Sequence, residues 1–447
     1  MISRRPAARD IWRDVARLAV PVIGQSLLQT LVFLVDRAML GRFSSDALAS
    51  LQISGPIVWS LVAMMGAIQV GAIAVVGREA GAKRSNEASA GVRAGLFAAL
   101  VLGVMAGAIG FVSLPLLHGV FPHAGPSVHE EARAYLTTML PAIPLWLMAA
   151  MAASVHQAAG NTRTPLFVAI GANVVNAGAN WVLIFGHLGV PALGARGAAI
   201  GGVLAFSFEC VVFGALLWRG RGVISMRGRG GELAELLRMT KVTLPAMLER
   251  ALQYAGYLVF TAMIGALGTV AMAANQVLIG IESIAFLSAD GFGIAAASIV
   301  AQRLGAGRPI EARLGARVAV VMGTVALTAC GLVFLSFPQP LASAFSSDRV
   351  IVEAVVPCLA VMALAQPFMA QSVVLGEALR GAGAVRATLI VTLLGGLIVR
   401  LIATYVFAFR FELGLLGVWL GSTLDWVVRT ACFVWIFTRG KWTHTVV

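Results

Sequence analysis

Carboxylates embedded in long apolar runs are the residues of this sequence best placed to do chemistry. Asp36 lies in a run that begins at Leu18, and it shares a stripe with Gln25, Gln29 and Val32. Their spacing of three and four residues puts all four on one helix face. Arg37, next in sequence, projects about 100° away round the helix. An acid at membrane depth is costly and marks a solute pathway, a coupling site or a structural pair. Burial without a counter-cation favours the protonated form of a carboxylic acid, the property needed to exchange a proton for another solute. The structural alternative pairs Asp36 with Arg37 or Arg42 at the membrane interface.

A second stripe, Glu249, Gln253 and Tyr257, starts one turn beyond Pro245. It is expected to face a wet chamber shared with the first, or else to tie Glu249 to Arg250 or to the membrane surface. Glu282 and Asp290, eight residues apart, share a face with Asn275 and are further candidates for proton binding, with Arg400 as the competing structural partner. Asn173, Asn176 and Asn180 form an amide stripe able to offer oxygens to a cation or to hydrogen-bond between helices. His156 and Gln157 close another apolar run, where a lone histidine is more often a packing residue. Asp425 with Arg429, and Glu377 with Arg380, stand one helical turn apart and read as structural pairs. Trp59, Met65, Gln69 and Met263 join Gln29, Gln253 and Tyr257 as candidate liners of a substrate cavity.

Nothing resembles the apparatus of an enzyme: the sequence has no GxxxxGK[ST] loop, no HExxH and no GxSxG. Cys210, Cys330, Cys358 and Cys432 all fall within apolar runs, with no CxxC pair to hold a metal. No cofactor is expected beyond a coupling ion, proton or sodium.

The elements that must position these groups are membrane-spanning helices. Of 447 residues 59% are hydrophobic and only 12% charged, a composition that excludes a water-soluble domain of this length. Apolar runs of about twenty residues, each able to cross ~30 Å of hydrocarbon, fall at 18–40, 51–77, 92–116, 133–157, 164–186, 197–218, 242–266, 273–301, 316–337, 350–378, 385–409 and 414–437. They are too long and too continuously apolar for tilted strands. The first lacks a small-residue cleavage site and is expected to remain.

The net charge of +13 reflects orientation rather than nucleic-acid binding. With the N-terminus inside, 24 of the 33 lysines and arginines fall on inner segments, among them Arg4, Arg5, Arg9, Arg221 and Arg229. This places both termini in the cytoplasm and makes the number of spans even.

Laid over itself with Pro21 on Pro245, the chain aligns 21–93 with 245–317 without a gap and gives 21 identities in 73 positions. Gln29 then meets Gln253, and Arg93 meets Arg317. In a slightly shifted register, Gly197, Gly201 and Arg219-Gly220 meet Gly417, Gly421 and Arg439-Gly440. Six spans separate each pair, so the halves point the same way across the bilayer and are expected to be related by a pseudo-twofold axis near the membrane normal. The expected division is an N-terminal six-helix bundle at 1–219, a basic cytoplasmic linker at 220–240 and a C-terminal six-helix bundle at 241–447.

In order along the chain stand Leu34-Val35-Asp36 with Met39 and Gly41, and Gly160-Asn161-Thr162-Arg163 followed by the stretch from Asn176 to Gly186. The second half carries Ala273-Ala274-Asn275-Gln276, Gln302-Arg303-Leu304-Gly305-Ala306-Gly307-Arg308, Leu379-Arg380-Gly381-Ala382-Gly383 and Arg439-Gly440-Lys441-Trp442. In these stretches the chain resembles the multidrug and toxic compound extrusion (MATE) transporters over essentially its whole length. The resemblance implies an all-α membrane protein of twelve transmembrane helices in two six-helix bundles arranged as a V. It implies alternating access and export of amphiphilic, often cationic, organic compounds against protons or sodium. It assigns ion coupling to Asp36, with Asn176 beside it. Asn180 stands where one branch has an aspartate, and Met369 where sodium-coupled members have a tenth-span aspartate. Gln253 stands where those members have their seventh-span glutamate, whereas Glu249 comes one turn earlier.

The expected protein is therefore a proton-coupled or sodium-coupled antiporter of the inner cell membrane, monomeric, working on small amphiphilic substrates in the lipid bilayer. Its coupling groups are drawn from Asp36, Asn176, Asn180, Glu249, Glu282 and Asp290. The alternatives are a lipid-linked oligosaccharide flippase, which would want an arginine-rich cavity, and a non-transporting receptor or assembly protein.

Overall fold

A backbone that crosses hydrocarbon has no water to satisfy its polar groups, so each apolar run closes its own hydrogen bonds as a helix. The computed structural model describes residues 8–122, 125–220, 222–228 and 230–445; Arg4, Arg5, Arg221 and Arg229 lie outside them. Among the described residues there are helices, turns and loops and no strand.

Twelve long helices match the expected spans: α1 (Asp10–Phe43), α2 (Ser45–Gly81), α3 (Ser85–Val120), α4 (Pro126–Ala158), α5 (Arg163–Phe185), α6 (Gly194–Arg219), α7 (Glu232–Gly265), α8 (Thr269–Gly305), α9 (Pro309–Ser336), α10 (Arg349–Gly381), α11 (Val385–Arg410) and α12 (Gly414–Arg439). Eleven are apolar and long enough to cross a membrane. The remaining one, α7, opens on the charged residues Glu232, Glu235, Arg238 and Lys241 before its apolar stretch.

Local irregularities have local causes. Pro115 and Pro141 tighten α3 and α4 into short 3₁₀ turns, because a proline offers no N–H to the ladder. Ser44 caps α2, accepting from the N–H groups of Asp46 and Ala47, and Asp348 caps α10 by accepting from Val350.

Glycines set how closely neighbouring helices approach. A Cβ on Gly197 would lie 2.7 Å from the Leu183 backbone of α5, and one on Gly417 would lie 2.5 Å from the Phe407 backbone of α11. Gly201 presses against the Asn180 side chain, and Gly421 would meet the Thr404 nitrogen at 2.6 Å. The glycine pairs that coincide when the sequence is laid over itself thus do the same work in each half, bringing two helices to backbone contact.

Contacts divide the chain into two units, at places other than the loop boundaries expected from sequence. One unit is Gly24–Thr243; the other joins the chain up to Ile23 with everything from Leu244 onward. The first four turns or so of α1 lie with the C-terminal helices, Ile11, Val15, Leu18 and Ala19 being buried in one cluster with Phe292, Ala296, Phe437 and Trp442. Asp14 there pairs with Arg303 at 2.9 Å. The start of α7 lies with the N-terminal helices, where Arg238 pairs with buried Glu79 at 2.7 Å. The 220–240 linker is tied to the same unit, since Arg93 bonds Glu232 at 2.7 Å and the Arg227 carbonyl at 2.8 Å. Each of these lead-ins is amphipathic and buries its apolar side on whichever helices it crosses, which a division by loop composition does not register.

Gly197→Val and Gly417→Val should each force apart a helix pair and cost roughly 1–3 kcal/mol, the range for overpacking a filled contact. Thermal unfolding of the purified protein in detergent should show a lowered midpoint for both.

Candidate functional site

In the unit Gly24–Thr243 the polar interior gathers round Asp36. Asn180 of α5, fully buried, donates from Nδ2 to Asp36 Oδ1 at 2.6 Å. With its nitrogen turned to the carboxylate, Asn176 donates to the same oxygen at 3.0 Å and accepts from the Gly202 N–H at 3.3 Å. Gly201 gives Asn180 the room to lie there, and Asn180 Oδ1 is buried without a hydrogen-bond partner. The pairing of Asp36 with Arg37 or Arg42 is not formed: the Arg37 guanidinium lies over the Phe33 ring, 4.0 Å from its centre, as its direction round the helix requires. Among the described residues no basic side chain pairs with Asp36. A carboxylate held by amides alone keeps its charge uncompensated, so it can take a proton or a small cation.

The rest of this unit's polar residues are engaged to different degrees. Gln69 accepts from Ser154 at 3.0 Å, and Gln157 donates to Gln25 at 3.3 Å. Met65 is buried in the packed wall, whereas Gln29 and Trp59 are exposed on this unit. Trp59 leans on Trp146, which stacks on Phe206 at 4.8 Å between ring centres. One turn beyond Phe206 on α6 is Glu209, half-buried and without hydrogen bond or ion pair among the described residues. Sequence reasoning passed over Glu209, although the rule that singled out Asp36, a carboxylate inside an apolar span, applies equally to it.

In the other unit the carboxylates are mostly answered. Glu249, 2% exposed, takes an ion pair from Arg380 and hydrogen bonds from Thr392 at 2.8 Å and Thr388 at 3.1 Å. Arg380 also bonds Glu377 at 2.7 Å, the pair read from sequence. The local partner expected for Glu249, Arg250, is replaced by a cation from α10, three spans away. Asp425 bonds Arg429 as expected and also Arg400, at 2.9 Å. Arg400 sits between two π-helical stretches of α11, Leu393–Val399 and Val406–Arg410, a backbone irregularity frequent at working sites. Its guanidinium lies 5.6 Å from the centres of both the Phe260 and Trp426 rings.

Arg400 therefore belongs to Asp425 first. Glu282 feels its charge without a hydrogen bond, and Asp290 lies within electrostatic reach of Glu377, Arg250 and Arg380. Two buried amide oxygens, Asn275 Oδ1 and Gln366 Oε1, have no partner. Gln253 and Tyr257 are exposed on this unit and Met263 is half-buried. Among the described residues no three His, Cys, Asp or Glu side chains are grouped to hold a metal ion.

Duplicated bundles of apolar helices, carrying unpaired carboxylates at membrane depth, define a multi-pass membrane transporter rather than an enzyme. The MatE family model matches residues 21–182 and again 245–406, two matches in the same register as the internal repeat that sets Pro21 on Pro245, and the chain belongs to this family. It is 27% identical to the probable multidrug resistance protein NorM of Thermotoga maritima over 97% of this chain and 93% of that protein. With the multidrug resistance protein PmpM of Pseudomonas aeruginosa it shares 27% over 88% and 83%. In fold it is similar to a MOP superfamily transporter from Pyrococcus furiosus, with a TM-score of 0.87, 19% identity and coverage of 98% and 97%. A Vibrio cholerae MATE transporter gives 0.87 and 20%, with coverage of 97% and 98%.

Arg380→Ala strands Glu249 without its cation and should lower the unfolding free energy by ~3–5 kcal/mol. Arg349→Ala, whose pair with Glu353 is solvent-exposed, should change it by less than about 1 kcal/mol. Denaturant or thermal unfolding of the two variants in detergent checks the contrast.

Proposed function

We propose that the chain is a secondary active exporter that exchanges small amphiphilic, often cationic, organic compounds for protons by alternating access. The observation that carries this reading is the Asp36 carboxylate, held by Asn176 and Asn180 and by no cation. Neutralising Asp36 with a proton removes the negative charge that attracts a cationic substrate and weakens its hydrogen bonds to α5, so proton and substrate favour different arrangements of α1 against α5. A ligand shifts such an equilibrium only by its differential affinity for the two states, and a titrating carboxylate supplies that difference.

Protons fit better than sodium. The Asn180 nitrogen, not its oxygen, faces Asp36, and a sodium ion needs oxygen ligands where this geometry presents a donor. The relatives' names, multidrug resistance proteins, support the class of cargo. The Trp59, Trp146 and Phe206 rings with Glu209 beyond them offer a lipophilic cation both π faces and a negative charge. Glu249, closed off by Arg380 and two threonines, is assigned to stability; Glu282 and Asp290 are the second unit's contributors. The flippase alternative is disfavoured because the guanidinium groups of Arg380, Arg400 and Arg429 are each matched by a carboxylate and so are not free for a pyrophosphate. The basic loops support placement in the cell (inner) membrane with both termini cytoplasmic, and the protein is taken to work as a monomer with no cofactor but the coupling ion.

In proteoliposomes with an imposed pH gradient, efflux of a fluorescent lipophilic cation should fall at least about tenfold in Asp36→Asn, a loss of ~1.4 kcal/mol in driving interaction. A sodium gradient should not substitute for the pH gradient in the unmutated protein. Proton-driven efflux at an unchanged rate in Asp36→Asn would remove Asp36 from the coupling role.

A further inference from the structure

At the basic end of the unit Gly24–Thr243, the end of α4, the start of α5, the end of α6 and the loop after it enclose a cavity of about 340 Å³. Its outer wall is built rather than accidental. Gly220 takes a left-handed φ of 62° and turns the chain back. Ser225 Oγ and the Met226 N–H then both donate to the Leu217 carbonyl, at 3.3 and 3.1 Å, and Ile224 is buried.

The cavity has two chemical halves. Leu216 and Ile224 head an apolar side. The other side holds Arg219, Asn161, Thr164 and His156, with no acid among the lining residues. Asn161 Oδ1 accepts from the Thr164 N–H at 3.1 Å and its Nδ2 donates to Thr164 Oγ1 at 2.8 Å, so the Thr164 hydroxyl proton is left to donate elsewhere. Thr164 lies in the first turn of α5, a position that favours negative charge. His156 is only 6% exposed and its Nδ1 lies 2.7 Å from the Ala152 carbonyl. Nδ1 must therefore carry the proton in the neutral ring, and Nε2, which has no hydrogen-bond partner among the described residues, is left as an acceptor.

The internal duplicate carries different residues at the positions that line this space. In the register that sets Gly197 on Gly417, Leu217 and Gly222 of the cavity correspond to Phe437 and Trp442. There the Trp442 ring is 3% exposed and stacks on Phe437 at 5.1 Å. Arg439, the counterpart of Arg219, lies over the Trp435 ring at 3.9 Å. In that register one half carries a buried tryptophan where the other carries the glycine that lines the cavity.

We propose that this cavity binds an anionic phospholipid with a hydroxyl-bearing headgroup, of the phosphatidylglycerol type. The phosphate is held by Arg219, the Thr164 hydroxyl and the first turn of α5. A headgroup hydroxyl donates to His156 Nε2, and the glycerol ester region lies on Leu216 and Ile224. The assignment is independent of the direction of transport and of the coupling ion.

The test uses the full chain, purified and delipidated in detergent and titrated with dihexanoyl phosphatidylglycerol, the thermal unfolding midpoint being read at each concentration. A saturable rise is expected, with the half-saturating concentration raised about tenfold or more in Arg219→Gln and in Thr164→Val and unchanged in Arg439→Gln. Three results would overturn the proposal: an equal rise with dihexanoyl phosphatidylcholine, an equal rise with inorganic phosphate alone, or the same response in Arg219→Gln as in Arg439→Gln. The first would reduce the effect to acyl chains, the second to a free anion, and the third to general surface charge.

Discussion

A charge inside hydrocarbon must be neutralised, paired or put to use, and this constraint arranges most of the polar residues described above. Glu79 draws in Arg238, Glu249 draws in Arg380, and Asp425 draws in both Arg400 and Arg429. Two of these pairs, Glu79 with Arg238 and Glu249 with Arg380, join helices far apart in sequence, and so act as cross-members between spans. Removing one partner of such a pair leaves a buried charge that costs far more than the intact pair contributes. Against that background, a carboxylate answered only by amides departs from the rule that the rest of the molecule obeys. Asp36 is such a group, and Glu209 and Glu282 also lack a direct cation.

Duplication explains both what the halves share and where they part. Gly197 and Gly417, Gly201 and Gly421, and the left-handed glycines Gly220 and Gly440 hold corresponding backbones in corresponding contacts. These positions tolerate little change, because a side chain there collides with its neighbours or strains the backbone. Side chains elsewhere have diverged. Asp36 lies opposite Phe260 in the repeat, Glu282 opposite Val58, and Trp442 opposite Gly222. The architecture is thus kept by its glycines while the chemistry has become different in each half.

The sequence alone was sufficient for the twelve helices, because length and apolarity leave a membrane span no other regular structure. The polar stripes showed which faces of α1 and α5 turn inward, while it was the family resemblance that set Asn176 beside Asp36. Partners remote in sequence were not legible. Arg380 stands 131 positions from Glu249, and no periodicity within one helix points from one to the other. Arg400, weighed from sequence as an alternative partner for Glu282 and Asp290, bonds Asp425 instead, and which face of α11 carries it depends on the π-helical stretches on either side. The contact units follow a different line from the loops for a related reason: α1 and α7 each run unbroken from one unit into the other, so no loop or composition change marks the transition.

Those two lead-ins carry a further consequence. Asp14 and Arg238 occupy matching positions of the repeat, as do Glu79 and Arg303, yet the signs of the two ion pairs are inverted. A lead-in docked on the wrong unit would set Asp14 against Glu79, or Arg238 against Arg303, and like charges in such close register repel. Two halves descended from one ancestor present nearly interchangeable surfaces to a chain that is still folding. Opposite polarity at these two feet means that each ion pair can form in its own half and not with the corresponding residue of the other.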